Sequence, residues 1–389
     1  MSFTENIQCE GVKVENNKSL EVENMEAESR PKELDRLKSR KKQRQRRRAR
    51  FWDRLAGFII VTVLVVGGGL LGLEYVILKG PSPELRDVFI STMDETRRFR
   101  FIPQIFMTAD ELAAVRTKKV MNTDIATNTD LITIATPAPS AEPAPGEEET
   151  VHADPYGLVD EDGDGIIFKE VKGSGYVGYM TIVLDPTRVF VGKPASYGGV
   201  GRTLAELVED YGALGGINAG GFKDDGGGGL GGMPQGLTIV DGVCFNQDSD
   251  VSDGFVGLDR NGILHVGFYT YDDCVALGII HGVSFGPILI SNGVPTDPMY
   301  LERGVNPRTA IAQRADGAII MLVIDGRQVH SVGASHQDVI DLLLSYGAVN
   351  ACNLDGGSST IMYYNGGYAN SPSDASGNSR PLPDAFLYR

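Results

Sequence analysis

The stretch Asn350-Ala351-Cys352-Asn353-Leu354-Asp355-Gly356-Gly357-Ser358-Ser359-Thr360 sets one carboxylate, two glycines and three hydroxyls behind a small apolar run. This layout reads as a buried strand whose C-terminal end delivers Asp355 into a cleft. The glycine pair lets backbone N–H groups approach a ligand closely. Ser358, Ser359 and Thr360 add short hydrogen-bonding groups. The same residues suit the tight turn of a surface hairpin, where Asp-Gly is a common pair. The rest of the chain has to decide between the two.

Two further junctions carry an arginine: Asn306-Pro307-Arg308-Thr309-Ala310 and Asp325-Gly326-Arg327-Gln328. They flank the apolar run 318–324. Arginine there can pair with a nearby Asp, or it can grip a phosphate or carboxylate with two parallel hydrogen bonds. Gly215-Gly216-Ile217-Asn218-Ala219-Gly220-Gly221-Phe222 is a second strand end with glycines and a polar residue. Consecutive N–H groups can cradle an anion, but no P-loop lysine follows and no helix starts there, so it is not a nucleotide signature. Asp160, Asp162 and Asp164 open like a calcium loop. The match fails at the twelfth position, Val171, with Glu170 one residue early; an acidic solvated loop before a strand is the simpler reading. The histidines are scattered and form no H-x-x-x-H pair, and no G-x-S-x-G elbow marks a serine hydrolase. No metal site and no cofactor is expected beyond this weak calcium resemblance.

Helices and strands must position these groups. From Val151 glycine becomes frequent and short β-rich runs alternate with turns. Tyr176–Leu184, Gly236–Val240, Phe255–Leu258, Ile263–Phe268 and Ala318–Ile324 are predicted strands. Thr203–Tyr211 carries Leu204, Leu207, Val208 and Tyr211 at helical spacing. Ser335–Tyr346 starts on a capping serine and buries Val339, Leu342, Leu343 and Tyr346. The second helix stops at Gly347 and feeds straight into the strand that ends at Asp355.

The bulk numbers narrow the class. The chain has 389 residues and 42% apolar residues, enough for a real core. Its net charge of −15 hides an asymmetry: the basic density lies between Arg36 and Arg54. From residue 151 acidic groups outnumber basic ones about two to one, which argues against a nucleic-acid partner for that part. Cys9, Cys244, Cys274 and Cys352 have no C-x-x-C spacing. Buried free thiols are expected, with a Cys244–Cys274 bridge as the alternative.

Residues 1–35 read as a disordered acidic tail, followed by the basic run 36–50. Leu55–Leu78 is apolar apart from Glu74 and long enough to cross roughly 30 Å of hydrocarbon. Phe51, Trp52 and Tyr75 stand where interfacial aromatics belong, and the basic flank places the N-terminus in the cytoplasm. A retained anchor is favoured over a cleaved signal peptide, with the basic run also touching anionic lipid. The expected order is a cytoplasmic tail over 1–54, a membrane helix over 55–78, a stalk with a Pro/Ala/Glu linker over 79–150, and an extracytoplasmic domain over 151–389. A short helix near 109–118, capped by Thr108, is expected within the stalk.

Several motifs occur in order. They are Asn218-Ala-Gly-Gly-Phe222, Val283-Ser-Phe-Gly-Pro287 with Asn292-Gly293, Asn306-Pro-Arg-Thr-Ala310, and Asp325-Gly-Arg327. Gly333-Ala334, Leu354-Asp-Gly-Gly-Ser-Ser359 and Arg380-Pro-Leu-Pro-Asp-Ala-Phe386 complete the set. As an ordered set over about 151–389 they resemble the phosphodiester glycosidase family, whose bacterial relatives are often labelled exopolysaccharide-biosynthesis proteins. The resemblance implies an α/β (α+β) fold with a mixed β-sheet flanked by helices. It implies hydrolysis of the bond between a sugar's anomeric carbon and phosphate in cell-surface glycans. Phosphate is a good leaving group, so one carboxylate plus support for the developing charge would serve. On that reading Asp355 is the carboxylate, as base or nucleophile, with Asp325 as runner-up or as an orienter of arginine. Arg308 and Arg327 hold phosphate. Asn218, the N–H groups of Gly356 and Gly357, and Ser358 bind sugar hydroxyls or phosphate oxygens. The rival expectation is a non-catalytic glycan-binding or exopolysaccharide-assembly module.

Overall fold

A computed structural model describes residues 41–389, apart from 43, 45–46, 49, 97–98, 117–124, 135–152, 224–228, 248–253, 302 and 374–378. The expected tail over 1–35, the start of the basic run, the linker over 136–150 and part of the glycine run after 225 lie outside the described residues. The chain divides into two compact units, Met1–Val76 and Ile77–Arg389.

Helix α1, Arg50–Lys79, is the described helix long and apolar enough to cross a membrane. Its 30 residues carry an 18-residue window of mean hydropathy 2.4, and none of that window is buried within the protein. At 1.5 Å per residue it is about 45 Å long, more than the hydrocarbon layer needs.

The second unit starts well before residue 151. Helix α2, Pro83–Glu95, is capped by Ser82, whose side chain accepts from Leu85 N. Helix α3, Ala109–Arg116, is capped by Thr108, whose hydroxyl accepts from Glu111 N at 3.3 Å. Ile90, Met107, Leu112 and Leu78 close a small core between them. The Thr92 hydroxyl then accepts from Val305 N at 3.1 Å, tying α2 to the main body. Residues 125–134 also lie along that body. Asn128 N donates to Asn292 Oδ1 at 2.7 Å, Asn292 Nδ2 to Ala126 O at 2.9 Å, and Thr133 N to Ala315 O at 2.8 Å. Much of the expected stalk is therefore docked, because its backbone groups find partners on the larger domain.

Strands are numbered along the chain and form three sheets. The largest runs β1 (Ile166–Gly173), β2 (Tyr176–Val183), β13 (Ile319–Ile324), β12 (Arg308–Arg314), β14 (Ala348–Leu354), β10 (Ile288–Ser291), β11 (Val294–Pro295). The second runs β16 (Gly367–Tyr368), β15 (Met362–Tyr364), β4 (Gly215–Asn218), β17 (Ala385–Tyr388), β3 (Val189–Gly192). The third runs β6 (Val243–Gln247), β5 (Leu237–Val240), β9 (Ile279–Ser284), β7 (Phe255–Asp259), β8 (Leu264–Gly267). The recorded pairings are antiparallel, as in β2–β13, β12–β13 and β12–β14. With helices α4 (Leu204–Tyr211), α5 (Tyr271–Ala276) and α6 (His336–Ser345) packed around them, this is the α+β form of the expected class.

The large sheet is buried on both faces, so its strands read as continuous apolar runs rather than as alternation. In β13, Ile319, Met321 and Val323 face the core shared with the other two sheets. Ile320, Leu322 and Ile324 face the core under α6. Helix α6 is built on a capping box between Ser335 and Asp338 and buries Val339, Ile340 and Leu343. Each of these stabilises by at most about 1.5–3 kcal/mol. Gly347, at φ +81, turns the chain into β14. Helix α4, with its own capping box at Thr203, covers the second sheet through Leu204, Leu207 and Val208.

One buried charge pins the entry to the large sheet. Arg314, at the end of β12, donates to Asp154 Oδ2 at 2.6 Å and to Asp316 Oδ2 at 2.5 Å. Its guanidinium also lies 4.4 Å from the Tyr156 ring centroid. The other Asp154 oxygen accepts from Tyr156 N and Leu158 N. Burial alone would raise the Asp154 carboxyl, but the Leu158 N–H and Arg314 outweigh it and hold the group below its ordinary value. A lowered carboxyl stabilises above its unfolded pKa, and that contribution is lost as pH falls through the folded one. Asp154→Asn should therefore lower unfolding stability by about 2 kcal/mol at pH 7. In urea titrations the difference from wild type should shrink steadily below the ordinary aspartate range.

Candidate active site

Four strand ends converge. Register pairs Arg308 with Ile324 and Thr309 with Leu354, so the start of β12 lies beside the ends of β13 and β14. Asp325 and Asp355 each follow one of those ends. From the second sheet, β4 brings Asn218 to the same place. Its Nδ2 donates to Asp355 O at 2.5 Å, and Asp355 N donates to Ala219 O at 3.0 Å.

Asn218 is 1% exposed. Its Oδ1 accepts from Thr309 Oγ1 at 2.9 Å and from Ile361 N at 3.1 Å. Instead of reaching outward, this side chain locks two sheets together and sets the turn that follows Leu354. Gly356 and Gly357 make that turn for steric reasons. A Cβ on Gly356 would stand 2.8 Å from Pro307 O. Gly357 has φ +63, and its N–H donates to Pro307 O at 3.0 Å. That N–H is thus committed to the fold.

Arg327 reaches this turn. It sits at φ +58, and its Nη1 lies 3.3 Å from where a Cβ on Gly357 would be. Its guanidinium also donates to Asn306 Oδ1 at 2.9 Å through Nη2. Arg308 is buried. It donates through Nε to Ala334 O at 3.1 Å and through Nη2 to Gly304 O at 2.6 Å, holding the loop in front of β12. Ser358 Oγ accepts from Arg380 Nη1 at 3.0 Å. Arg380 in turn stacks on Phe222, 4.5 Å from the ring centroid. The Arg380 side of the site had been visible only as part of a motif, with no role attached.

Asp325 is fully buried and holds neighbours other than arginine. Oδ1 accepts from Asn370 Nδ2 at 3.0 Å and from Ser371 N at 3.1 Å, and Oδ2 meets His330 Nε2 at 3.3 Å. A carboxylate so occupied organises the rim, and Asp355 is the more open of the two.

A second acid near Asp355 was not foreseen. Asp384, between the Arg380-Pro-Leu-Pro segment and β17, is buried, and its Oδ1 accepts from Gly220 N at 2.6 Å. The Thr238 hydroxyl lies 3.4 Å from Oδ2. Burial, helped by the Asp355 charge, pushes this carboxyl up to about 7 against the pull of the Gly220 N–H and the Thr238 hydroxyl. Asp384 is thus a buried acid coupled electrostatically to Asp355. Its only sequence signal was the Pro-Asp-Ala of a closing motif.

Away from this site, Asp160, Asp162 and Asp164 do come together, with one oxygen of each within 4.8 Å of the others. Their carboxylates accept backbone N–H groups: Gly163 and Gly165 bond to Asp160, and Ile166 bonds to Asp164. That is the pattern of a self-capped acidic turn. Cys244, Cys274 and Cys352 are free thiols, as expected.

Asp384 generates a pH prediction. A carboxyl raised on folding binds its proton more tightly in the native state, so its contribution is present at low pH and is lost as pH climbs toward 7. Asp384→Asn keeps the neutral shape. Its thermal midpoint relative to wild type should rise between pH 5 and pH 8, measured by calorimetry across that range. A constant difference would mean that Asp384 is ionised throughout.

Comparison with known proteins places the chain in context. Residues 211–389 match the family model described as phosphodiester glycosidase. The match starts later than residue 151, although β1, β2 and β3 complete the same sheets. The SPbeta prophage-derived protein YomE of Bacillus subtilis (strain 168) is 30% identical over 203 residues, covering 49% of this chain and 30% of the relative. N-acetylglucosamine-1-phosphodiester alpha-N-acetylglucosaminidase of Mus musculus is 27% identical over 227 residues, covering 52% of this chain and 43% of the relative. The chain thus spans less than half the length of these relatives. The zebrafish catalytic domain of the latter enzyme, auto-inhibited by its pro-peptide, aligns with TM-score 0.49 and 22% identity over 58% of this chain and 82% of that one. Over residues 211–389, the chain is similar to the phosphodiester glycosidase family.

Proposed function

We propose that the second unit hydrolyses glycosyl phosphodiesters, breaking the bond between the anomeric carbon and the phosphate oxygen. The observation that carries this reading is the Asp355 turn, where Arg327 approaches Gly357 and Arg380 binds Ser358. A carboxylate on a turn that two guanidinium groups approach suits a substrate whose reacting carbon is attached to a phosphate. The mammalian relative is named for a substrate of this chemical class.

In the proposed reaction, water or Asp355 itself attacks the anomeric carbon. The C–O bond to phosphate breaks, and the electron pair leaves on the phosphate oxygen. Arg327 and Arg380 stabilise that charge as it grows, a contribution that matters most in the transition state. Arg308 and Asn218 act by position: one holds the loop in front of β12, the other fixes the Asp355 backbone. Asp384, its carboxyl raised by burial and by the Asp355 charge, stands as a second acid coupled to Asp355.

The apolar helix α1, preceded by a basic run, supports a membrane-anchored form with the N-terminus in the cytoplasm and the glycosidase unit outside. The substrate would then be a sugar-phosphate-containing glycan of the cell surface. The basic run would lie against anionic lipid.

Full-length protein in detergent, given a glycosyl phosphodiester, should release free sugar. Asp355→Asn should lower turnover at least about 100-fold, the scale of losing a principal transition-state group, with an unchanged circular dichroism spectrum. Binding of the diester by wild type without release would favour a glycan-binding module instead. Near-normal turnover by Asp355→Asn would remove Asp355 from the chemistry.

A further inference from the structure

Among the described residues, His330 is the histidine at the rim of this site, and its surroundings are unusual for a surface residue. It stands on a tight turn in which Gln328 N donates to Ser331 O at 3.0 Å and Ser331 N donates to Gln328 O at 3.2 Å. Val329, at the tip, is fully exposed. The His330 side chain is 50% exposed, yet its Nε2 lies 3.3 Å from an oxygen of Asp325, whose side chain is 0% exposed. Asp325 does not need this contact to be satisfied, since Asn370 and Ser371 already donate to it. What the contact does is orient the ring. With Nε2 held by the carboxylate, Nδ1 becomes the nitrogen that can serve a ligand.

The turn is also part of the site. The Arg327 guanidinium, from three residues earlier, lies next to Gly357, 3.3 Å from where a Cβ there would stand. Gln328 Nε2 donates to Ser371 O at 2.7 Å, and Ser373 Oγ donates to Gly357 O at 3.1 Å. The two loops are clasped to each other, and both touch the glycine turn that follows Asp355.

We propose that His330 is the proton donor to the departing phosphate in the glycosyl phosphodiester reaction, acting through Nδ1 with Asp325 holding Nε2. The inference rests on the function proposed above. In the step, the water oxygen bonds to the anomeric carbon while Asp355 takes a proton from that water. The carbon–oxygen bond to phosphate breaks and its electron pair stays on the phosphate oxygen. The Nδ1 proton of the imidazolium moves to that oxygen, leaving neutral imidazole on Asp325. The products are free sugar and a protonated phosphomonoester, and solvent returns the Asp355 proton to His330. Among the described residues, Asp325 is in contact with the imidazole, and Arg327 stands three residues earlier on the same turn. On β2, Tyr179 lies close enough for Asp325 to influence its phenol.

His330→Ala removes a half-exposed side chain and should leave the fold intact. In full-length protein in detergent, kcat should fall at least about 100-fold, the low end for loss of a general acid, with KM little changed. Added free imidazole should restore part of the lost turnover, which a purely structural histidine would not allow. His330→Gln, which keeps a hydrogen bond but no transferable proton, should be as slow as the alanine variant. Unchanged kcat in both variants, or a slow alanine variant that imidazole does not rescue, would overturn the proposal. A wild-type protein without turnover would instead overturn the hydrolase reading itself, so the two failures are separable.

Discussion

The site depends on one buried amide. Asn218 ends a strand of the second sheet, and its side chain bonds to the Asp355 carbonyl, the Thr309 hydroxyl and the Ile361 N–H. These partners come from three separate parts of the chain. A buried amide with such partners is held in one geometry, because any shift would leave a polar group unpaired in a dry interior. Asp355 is therefore presented at a fixed height above the junction of two sheets. The glycines that follow are needed because Pro307 passes too close for side chains.

The layers around this junction explain why it stays rigid. The large sheet is covered on both faces, by α6 on one side and by the other sheets on the opposite side. Its central strands carry apolar residues toward both. Polar groups then concentrate at the strand ends, where backbone turns leave room for them. Arg308 holds the loop in front of β12, while Arg327 and Arg380 come from loops that the packed strands deliver to the same edge. The helical segment before residue 117 joins this arrangement, with Thr92 of α2 bonding to Val305 just ahead of the Asn306–Arg308 junction.

The charges separate into two kinds. Arg308, Arg314 and Asp325 are buried and held by fixed partners, and their work is to hold loops in place. Asp355, Arg327, Arg380 and His330 sit at the rim, where a ligand can meet them. Asp384 stands between the kinds: buried like the first, yet coupled to Asp355 and raised toward neutral pH by its surroundings. A lone carboxylate suffices for a phosphate leaving group in principle, but here Asp355 has an acidic neighbour and a histidine within the same rim.

Local signals in the sequence determined much of the architecture. The apolar helix, the caps at Thr108, Thr203 and Ser335, the run over 319–324 and the strand ending at Asp355 all follow from patterns a few residues long. Period, capping and turn chemistry are short-range properties, so they can be read without the fold. The tertiary structure decided which polar residues face inward and which meet. Asn218 and Asp355 are 137 residues apart in sequence, and Asp384 lies 164 residues from its Gly220 partner. No local pattern marks such a pair, because short strands such as β4 and β17 have too few residues to show which way a side chain points. Burial turned Asn218 from an expected ligand contact into a brace. The same burial raised the Asp384 carboxyl and set His330 against Asp325, the runner-up carboxylate or arginine orienter of the sequence reading, since only the assembled sheets set the distances and the loss of water around these groups.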